Sequence, residues 1–101
     1  MNKPLHVVTP LIHSSALSTL AGRDVFLKLE NVQPSGSFKI RGIGRTMQEA
    51  VKSGAKEFVG SSGGNAGMAM AVAAKQMKKK LTIFIPTSTL SFMIEKLQVC
   101  P

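Results

Sequence analysis

Phe58-Val59-Gly60-Ser61-Ser62-Gly63-Gly64-Asn65-Ala66-Gly67, followed after a helix-patterned run by Leu81-Thr82-Ile83-Phe84-Ile85, decides the fold of this 101-residue chain. A short apolar strand runs straight into a turn of serines and glycines. A helix starts at Asn65 or Ala66 and carries Ala69, Met70, Val72, Ala73 and Met77. The second apolar run reads as a buried-type strand ended by Pro86, which cannot continue a ladder. Strand, helix and strand joined by a few residues imply parallel pairing in a βαβ unit. The fold class is therefore α/β, a parallel sheet flanked by helices. Ser88 is placed to cap a last helix through Leu90, Met93, Ile94 and Leu97.

Toward the N-terminus, Ile40, Ile43, Met47, Ala50 and Val51 recur at helical spacing, and Gly54 supplies a stop. Gly42 and Gly44 inside that helix each cost about 1 kcal/mol relative to alanine, which points to close packing or a close ligand. Asn31 to Ser37, with Pro34 and Gly36, carries turn chemistry. Val25 to Glu30 alternates as a half-buried strand, with Val25, Leu27 and Leu29 on one face. Residues 1–24 read as an extended lead and one short helix, capped by Ser14 or Ser15 and closed by Gly22. His6 and His13 have no ligand-spaced partner in the sequence and are read as structural or solvated, so no metal site is expected.

Ser35-Gly36-Ser37-Phe38-Lys39-Ile40-Arg41-Gly42 puts Lys39 where a turn becomes a helix. The positive end of a helix dipole disfavours an ammonium there, and Schiff-base chemistry with a carbonyl compound needs a neutral amine. A solvated surface lysine is the plainer alternative. Ser61 to Gly67 gathers backbone N–H groups, two hydroxyls and an amide at one strand-to-helix turn, which suits a carboxylate. Its plainer alternative is a tight turn with Asn65 as N-cap. It is no P-loop, because no Gly-Lys-Ser/Thr closes it, and it lacks G-x-G-x-x-G spacing.

Glu30-Asn31-Val32-Gln33-Pro34-Ser35-Gly36-Ser37-Phe38-Lys39-Ile40-Arg41-Gly42 resembles the cofactor-lysine region of serine and threonine dehydratases. These belong to the tryptophan-synthase-β-like (fold-type II) group of pyridoxal-phosphate (PLP) enzymes. Ser61–Gly67 stands where that family places its substrate-carboxylate loop, and Thr9-Pro10-Leu11 resembles a tripeptide near the family's start. The resemblance implies that Lys39 binds PLP covalently and later removes the substrate's α-proton. It also implies that Phe38 packs on the cofactor ring and Asn65 bonds its phenolic oxygen. Ser62, Gly63, Asn65 and Ala66 would hold the substrate carboxylate. The implied reaction is β-elimination of L-serine, with L-threonine as second candidate, to a keto acid and ammonia. The family's glycine-rich phosphate cup lies further along its sequences than these 101 residues reach. Lys78-Lys79-Lys80 stands where related sequences usually place a glycine turn.

Composition bounds these readings. With 44% apolar residues the chain is not disordered, and no apolar run approaches a membrane span. Met1-Asn2-Lys3-Pro4 opens no signal peptide, and the one cysteine, Cys100, fits a reducing compartment, so a cytoplasmic location is expected. Net charge +8 and the lysine run raise a small nucleic-acid-binding α/β module as one alternative, yet lysines also complement a helix C-terminus. The expected organisation is residues 1–36 opening a larger cofactor domain and residues 37–101 forming most of a smaller one. Family members are several times longer and are expected to be homodimers. A fragment of such an enzyme, or a short inactive product acting at most as partner of a full-length relative, are the two forms this length suggests.

Overall fold

The computed structural model describes residues 3–98; Cys100 lies outside them. After an extended lead, β1 (Leu11–His13) is followed by α1 (Ser15–Ala21) and β2 (Phe26–Lys28). Ser14 Oγ accepts the Leu17 N–H, and Gly22 takes the left-handed conformation, φ 71°, so both expected caps of α1 are present. β1 pairs antiparallel with β2, Ile12 opposite Leu27, and the ladder is extended by Ser14 N–H to Val25 O and Leu29 N–H to Pro10 O. The observed strand is thus shorter than the Val25–Glu30 run suggests. His13 is structural: its Nε2 lies 3.2 Å from the acceptor Asp24 Oδ1 and 3.1 Å from Ser18 Oγ, and its ring packs edge-on against Phe26 at 5.3 Å.

The second unit is the βαβ. A 3₁₀ turn over Glu30–Val32 leads through Gly36 (φ 84°) into α2 (Lys39–Lys52), with Gly54 at φ 104° beyond its end. Then come β3 (Glu57–Gly60), α3 (Asn65–Met77) and β4 (Lys80–Ile83), the two strands parallel with Phe58 opposite Leu81. α4 (Ser91–Gln98) closes the described chain. α3 is central, packing on α2, both strands and α4. Its small residues make that possible, since Ala69 and Ala73 are fully buried and bring neighbouring backbones close. α2 contributes Ile40, Gly44 and Met47 at one helical face, and Leu5 from the lead segment seals that core.

Two readings are corrected. β4 is not a buried-type strand: Leu81 and Ile83 are half-buried while Thr82 is exposed, because α3 packs on one face only. Ser88 does not cap α4. It lies in a turn closed by Thr89 onto the Pro86 carbonyl, and the Leu90 carbonyl accepts the first bonds of the helix. Close packing explains Gly44, where a Cβ would lie 3.4 Å from that of Leu5, but not Gly42, which faces open space. With extents of 49 × 37 × 18 Å and a radius of gyration of 16.2 Å, the chain is a thin slab, against about 13 Å for a compact domain of this length.

α3 ends in a left-handed residue, Lys78 at φ 57°, with Lys79 N–H bonding back to the Ala74 carbonyl. This is a Schellman-type stop made by lysine where glycine is preferred. A side chain in that conformation costs roughly 1 kcal/mol, offset in part by glycine's greater unfolded-state freedom. Lys78→Gly is therefore expected to stabilise the chain by about 0.5–1 kcal/mol, read as a higher urea midpoint. An unchanged or lower midpoint contradicts this account of the helix stop.

Candidate active site

Lys39 is the first residue of α2. Its N–H bonds to Ser37 Oγ at 3.4 Å, and its side chain is exposed, with Nζ 5.6 Å from the Phe38 ring centroid. It makes no ion pair among the described residues. Phe38 is 59% exposed, so it does not serve as core packing. Both residues border an open groove of about 670 Å³, walled by Ile43 and Met47 of α2, Phe58 and Val59 of β3, and Met70 of α3. Gly42, free of neighbours, also opens onto it.

The Ser61–Gly67 turn joins the carboxyl end of β3 to the start of α3, the position where ligands gather in parallel α/β folds. Gly64 occupies the N-cap without a side-chain cap, and Asn65 is the first helical residue and exposed. The capping role for Asn65 is therefore not what the chain adopts. Ser62 Oγ accepts the Gly64 N–H at 3.2 Å, leaving its hydroxyl proton free to donate. Among the described residues, the N–H groups of Asn65, Ala66 and Gly67 find no acceptor. Gly63 is half-buried, and a Cβ there would lie 3.3 Å from Ile85 Cγ2. A Cβ on Gly67 would collide with the Ser62 carbonyl oxygen, so the turn's path depends on glycine at that position.

Residues Gln48 and Lys52 of α2 share a cleft with Gln76 and Met77 of α3, so the C-terminal ends of the two packed helices lie together. Their N-termini accordingly point toward the other end of the slab. The chain brings Phe38 and Lys39 together, and separately Ser62, Gly63, Asn65 and Ala66. None of the latter four lines the Lys39 groove.

The sequence reading gave no role to the residues that grip this turn. Glu30 accepts from Arg41 Nε at 2.6 Å and Nη2 at 3.1 Å, from Thr9 Oγ1 at 2.6 Å and from Gln33 Nε2 at 3.2 Å. Gln33 pairs with both the N–H and the carbonyl of Val7, each at 2.9 Å. Glu30 and Arg41 flank Lys39 in sequence; that pair of opposite charges was the available signal.

The model for the family of pyridoxal-phosphate dependent enzymes matches residues 3–100. The chain belongs to that family. It is 57% identical over 96 residues to human "Serine dehydratase-like" and 52% identical over 96 to human L-serine dehydratase/L-threonine deaminase. Each match covers 95% of this chain and 29% of the relative, so the chain spans under a third of the length of the curated relatives it matches. Among solved structures it superposes on a fungal L-serine ammonia-lyase from Rhizomucor miehei with TM-score 0.82 and 35% identity, over 95% of this chain and 31% of that one. A serine racemase from Dictyostelium discoideum gives TM-score 0.82 at 30% identity, over 92% of this chain and 31% of the other. The resemblance read from the two motifs and the α/β class are borne out.

For a chain of the PLP-dependent family, the donor set at Lys39 fits the cofactor. An unpaired exposed primary amine can condense with the aldehyde, and the adjoining phenyl face and apolar wall can take an aromatic ring.

Two expectations follow for this part of the fold. The Glu30 carboxyl is lowered from its ordinary 4.5 to about 2, first by the hydrogen bonds from Arg41, then by Thr9 and Gln33, against burial. A depressed carboxyl pKa stabilises the fold above its unfolded value and loses that contribution as pH falls through the folded one. The urea midpoint is therefore expected to fall between about pH 4.5 and 2, and Glu30→Gln to flatten the profile while lowering it at neutral pH. A variant curve parallel to the parent would assign the acid sensitivity elsewhere. Alanine ordinarily favours a helix over glycine by about 1 kcal/mol, as Gly42→Ala should show; Gly67→Ala should instead destabilise by about 1–3 kcal/mol, as overpacking does. Equal effects at the two positions would contradict the Ser62–Gly67 contact.

Proposed function

We propose that this chain supplies the cofactor lysine and the substrate-carboxylate turn of a PLP-dependent L-serine dehydratase, with L-threonine as second substrate. The observation that carries it is the exposed Lys39 amine beside Phe38 at an apolar groove, on a chain whose relatives bear serine dehydratase names. When bound, PLP supplies the electron sink for the bond broken at the substrate Cα.

The chain's own residues would do the rest. Lys39 Nζ would hold the cofactor and, as a free amine, would take the substrate's α-proton. Phe38 would pack against the cofactor ring, and the Asn65 amide would bond its phenolic oxygen. The Ser62 hydroxyl and the backbone donors at Gly63, Asn65 and Ala66 hold the substrate carboxylate, helped by the positive end of α3. With the Cα–H bond oriented toward Lys39, loss of the α-proton and departure of the β-hydroxyl as water would leave aminoacrylate, whose imine tautomer adds water to give pyruvate and ammonia. A division near Gly36 between a larger cofactor domain and a smaller one, a homodimer and a cytoplasmic location complete the proposal. The two separate sheets support that division, though Leu5 crosses it to reach the core of α2 and α3. Among the described residues no helix is long and apolar enough to cross a membrane. The nucleic-acid reading is not adopted, because Lys75 and Lys78 sit at the end of α3, where cations complement the dipole.

The test is a chimera in which this chain replaces the matching 96 residues of human L-serine dehydratase/L-threonine deaminase. Pyruvate production from L-serine at rates near the parent enzyme is the expected result. A folded, PLP-loaded chimera that makes no pyruvate from serine or 2-ketobutyrate from threonine would overturn the substrate assignment.

A further inference from the structure

Every buried polar side chain of the described residues, namely Thr9, Gln33 and Ser35, lies in the stretch around the Lys39 turn. Burying polar groups is costly unless each is bonded, and a fully bonded network instead fixes one geometry. Here the bonds are complete: no buried side-chain nitrogen or oxygen among the described residues lacks a partner. Gln33 ties the start of the turn to Val7, Glu30 ties the first turn of α2 through Arg41, and Thr9 and Gln33 both donate to the same carboxylate. Ser35 Oγ bonds the Ser37 carbonyl between these anchors. The turn from Gln33 to Arg41 is thus held at both ends, and Lys39 lies inside it, two residues from the Arg41 anchor.

We propose that the Glu30–Arg41 pair is a positioning device for Lys39, with Thr9 and Gln33 holding the carboxylate in register. This rests on the reading of Lys39 as the carbonyl-binding lysine. The paired oxygens meet a planar guanidinium at two points, which fixes direction as well as distance; lysine at 41 keeps the charge and loses that fork. Glu30 and Arg41 act through the backbone of the first α2 turn, not on the reacting atoms.

The PLP-loaded chimera is reduced with borohydride, and the share of pyridoxyl label on Lys39 against Lys28 and Lys52 is mapped, alongside amide hydrogen exchange across residues 35–41 and in α3. Glu30→Gln and Arg41→Lys are each expected to speed exchange at 37–41 and lower the Lys39 share by about tenfold, the factor for one hydrogen bond to a charged group. Exchange in α3 should stay slow, and Arg45→Gln, which removes the exposed pair with Glu49, should change neither reading. An unchanged Lys39 share in a variant whose α3 remains protected overturns the proposal. If Glu30→Gln unprotects α3, Thr9→Val, which removes one bond to the carboxylate and no charge, takes its place, and no loss of Lys39 share there is equally fatal. A parent chimera with no preference for Lys39 refutes the cofactor-lysine reading itself. The exchange data then judge the clamp alone, and unaltered exchange at 37–41 sinks it.

Discussion

Borohydride reduction of the PLP-loaded chimera should leave its pyridoxyl group on Lys39, and Lys39→Ala should remove both that adduct and pyruvate formation, by about a thousandfold or more. The magnitude follows from the two jobs the amine would have. It anchors the cofactor covalently, and it moves the α-proton, a contribution that alone runs to about 10²–10⁴ in rate. Other lysines are poor substitutes. Lys28 Nζ is engaged with the Thr9 carbonyl at 2.6 Å, and Lys52 lies at the far end of α2. Neither borders the groove that Lys39 and Phe38 share. Lys39→Arg separates charge from chemistry, since a guanidinium is not deprotonated in proteins and forms no such linkage. Arginine should therefore fail as alanine does. Label mapped to Lys28 or Lys52, or an active Lys39→Ala chimera, would end the assignment.

The 101-residue polypeptide on its own should form no sustained pyruvate from serine, bind PLP weakly and self-associate. A doubly charged phosphate calls for several converging N–H donors. The turn that offers them here, Ser61–Gly67, does not line the groove of Lys39. A cofactor held through Lys39, Phe38 and a single bond from Asn65, its phosphate unanchored, would be poorly oriented and lose most of the rate advantage of positioning. Self-association follows from the slab shape: Val59 and Phe84 are each 65% exposed, and β3 and β4 form a sheet of two strands with open edges. The chain, PLP and serine are mixed and pyruvate and absorbance followed, with sedimentation across a concentration series. Pyruvate above a PLP-only control, abolished by Lys39→Ala, or a monomer at all concentrations, would contradict the expectation.

Local signals carried the legible part of this fold. Ser14 and Gly22 bracket α1, Ile40 and Met47 mark the buried stripe of α2, and the run from Phe58 to Ile85 spells out the parallel βαβ unit. What escaped reading depends on partners far away in sequence. Leu11–His13 is too short to alternate and becomes a strand only by meeting Phe26–Lys28. The bonds of Glu30 to Thr9 and of Gln33 to Val7 join residues 21 and 26 positions apart, and nothing in a polar side chain announces its acceptor. The Ser62–Gly67 contact is likewise visible only as the space a methyl group would need. Of the candidate site, the two motifs were legible as local runs, and their division between one groove and one turn was not.

The clamp on Glu30 has a temporal side. All its partners, Val7, Thr9, Gln33 and Arg41, are translated before β3 and α3, whereas the apolar core needs Ala69, Val72 and Ala73 to meet Ile40 and Met47. During vectorial synthesis at about 5–20 residues per second, the polar frame of the Lys39 turn has every component available one to several seconds before the hydrophobic interior that stabilises it can be assembled. A ribosome-bound nascent chain arrested after Arg41 already contains the complete set of groups that orients the lysine, and α3 then arrives to lock an arrangement whose wiring has already been specified.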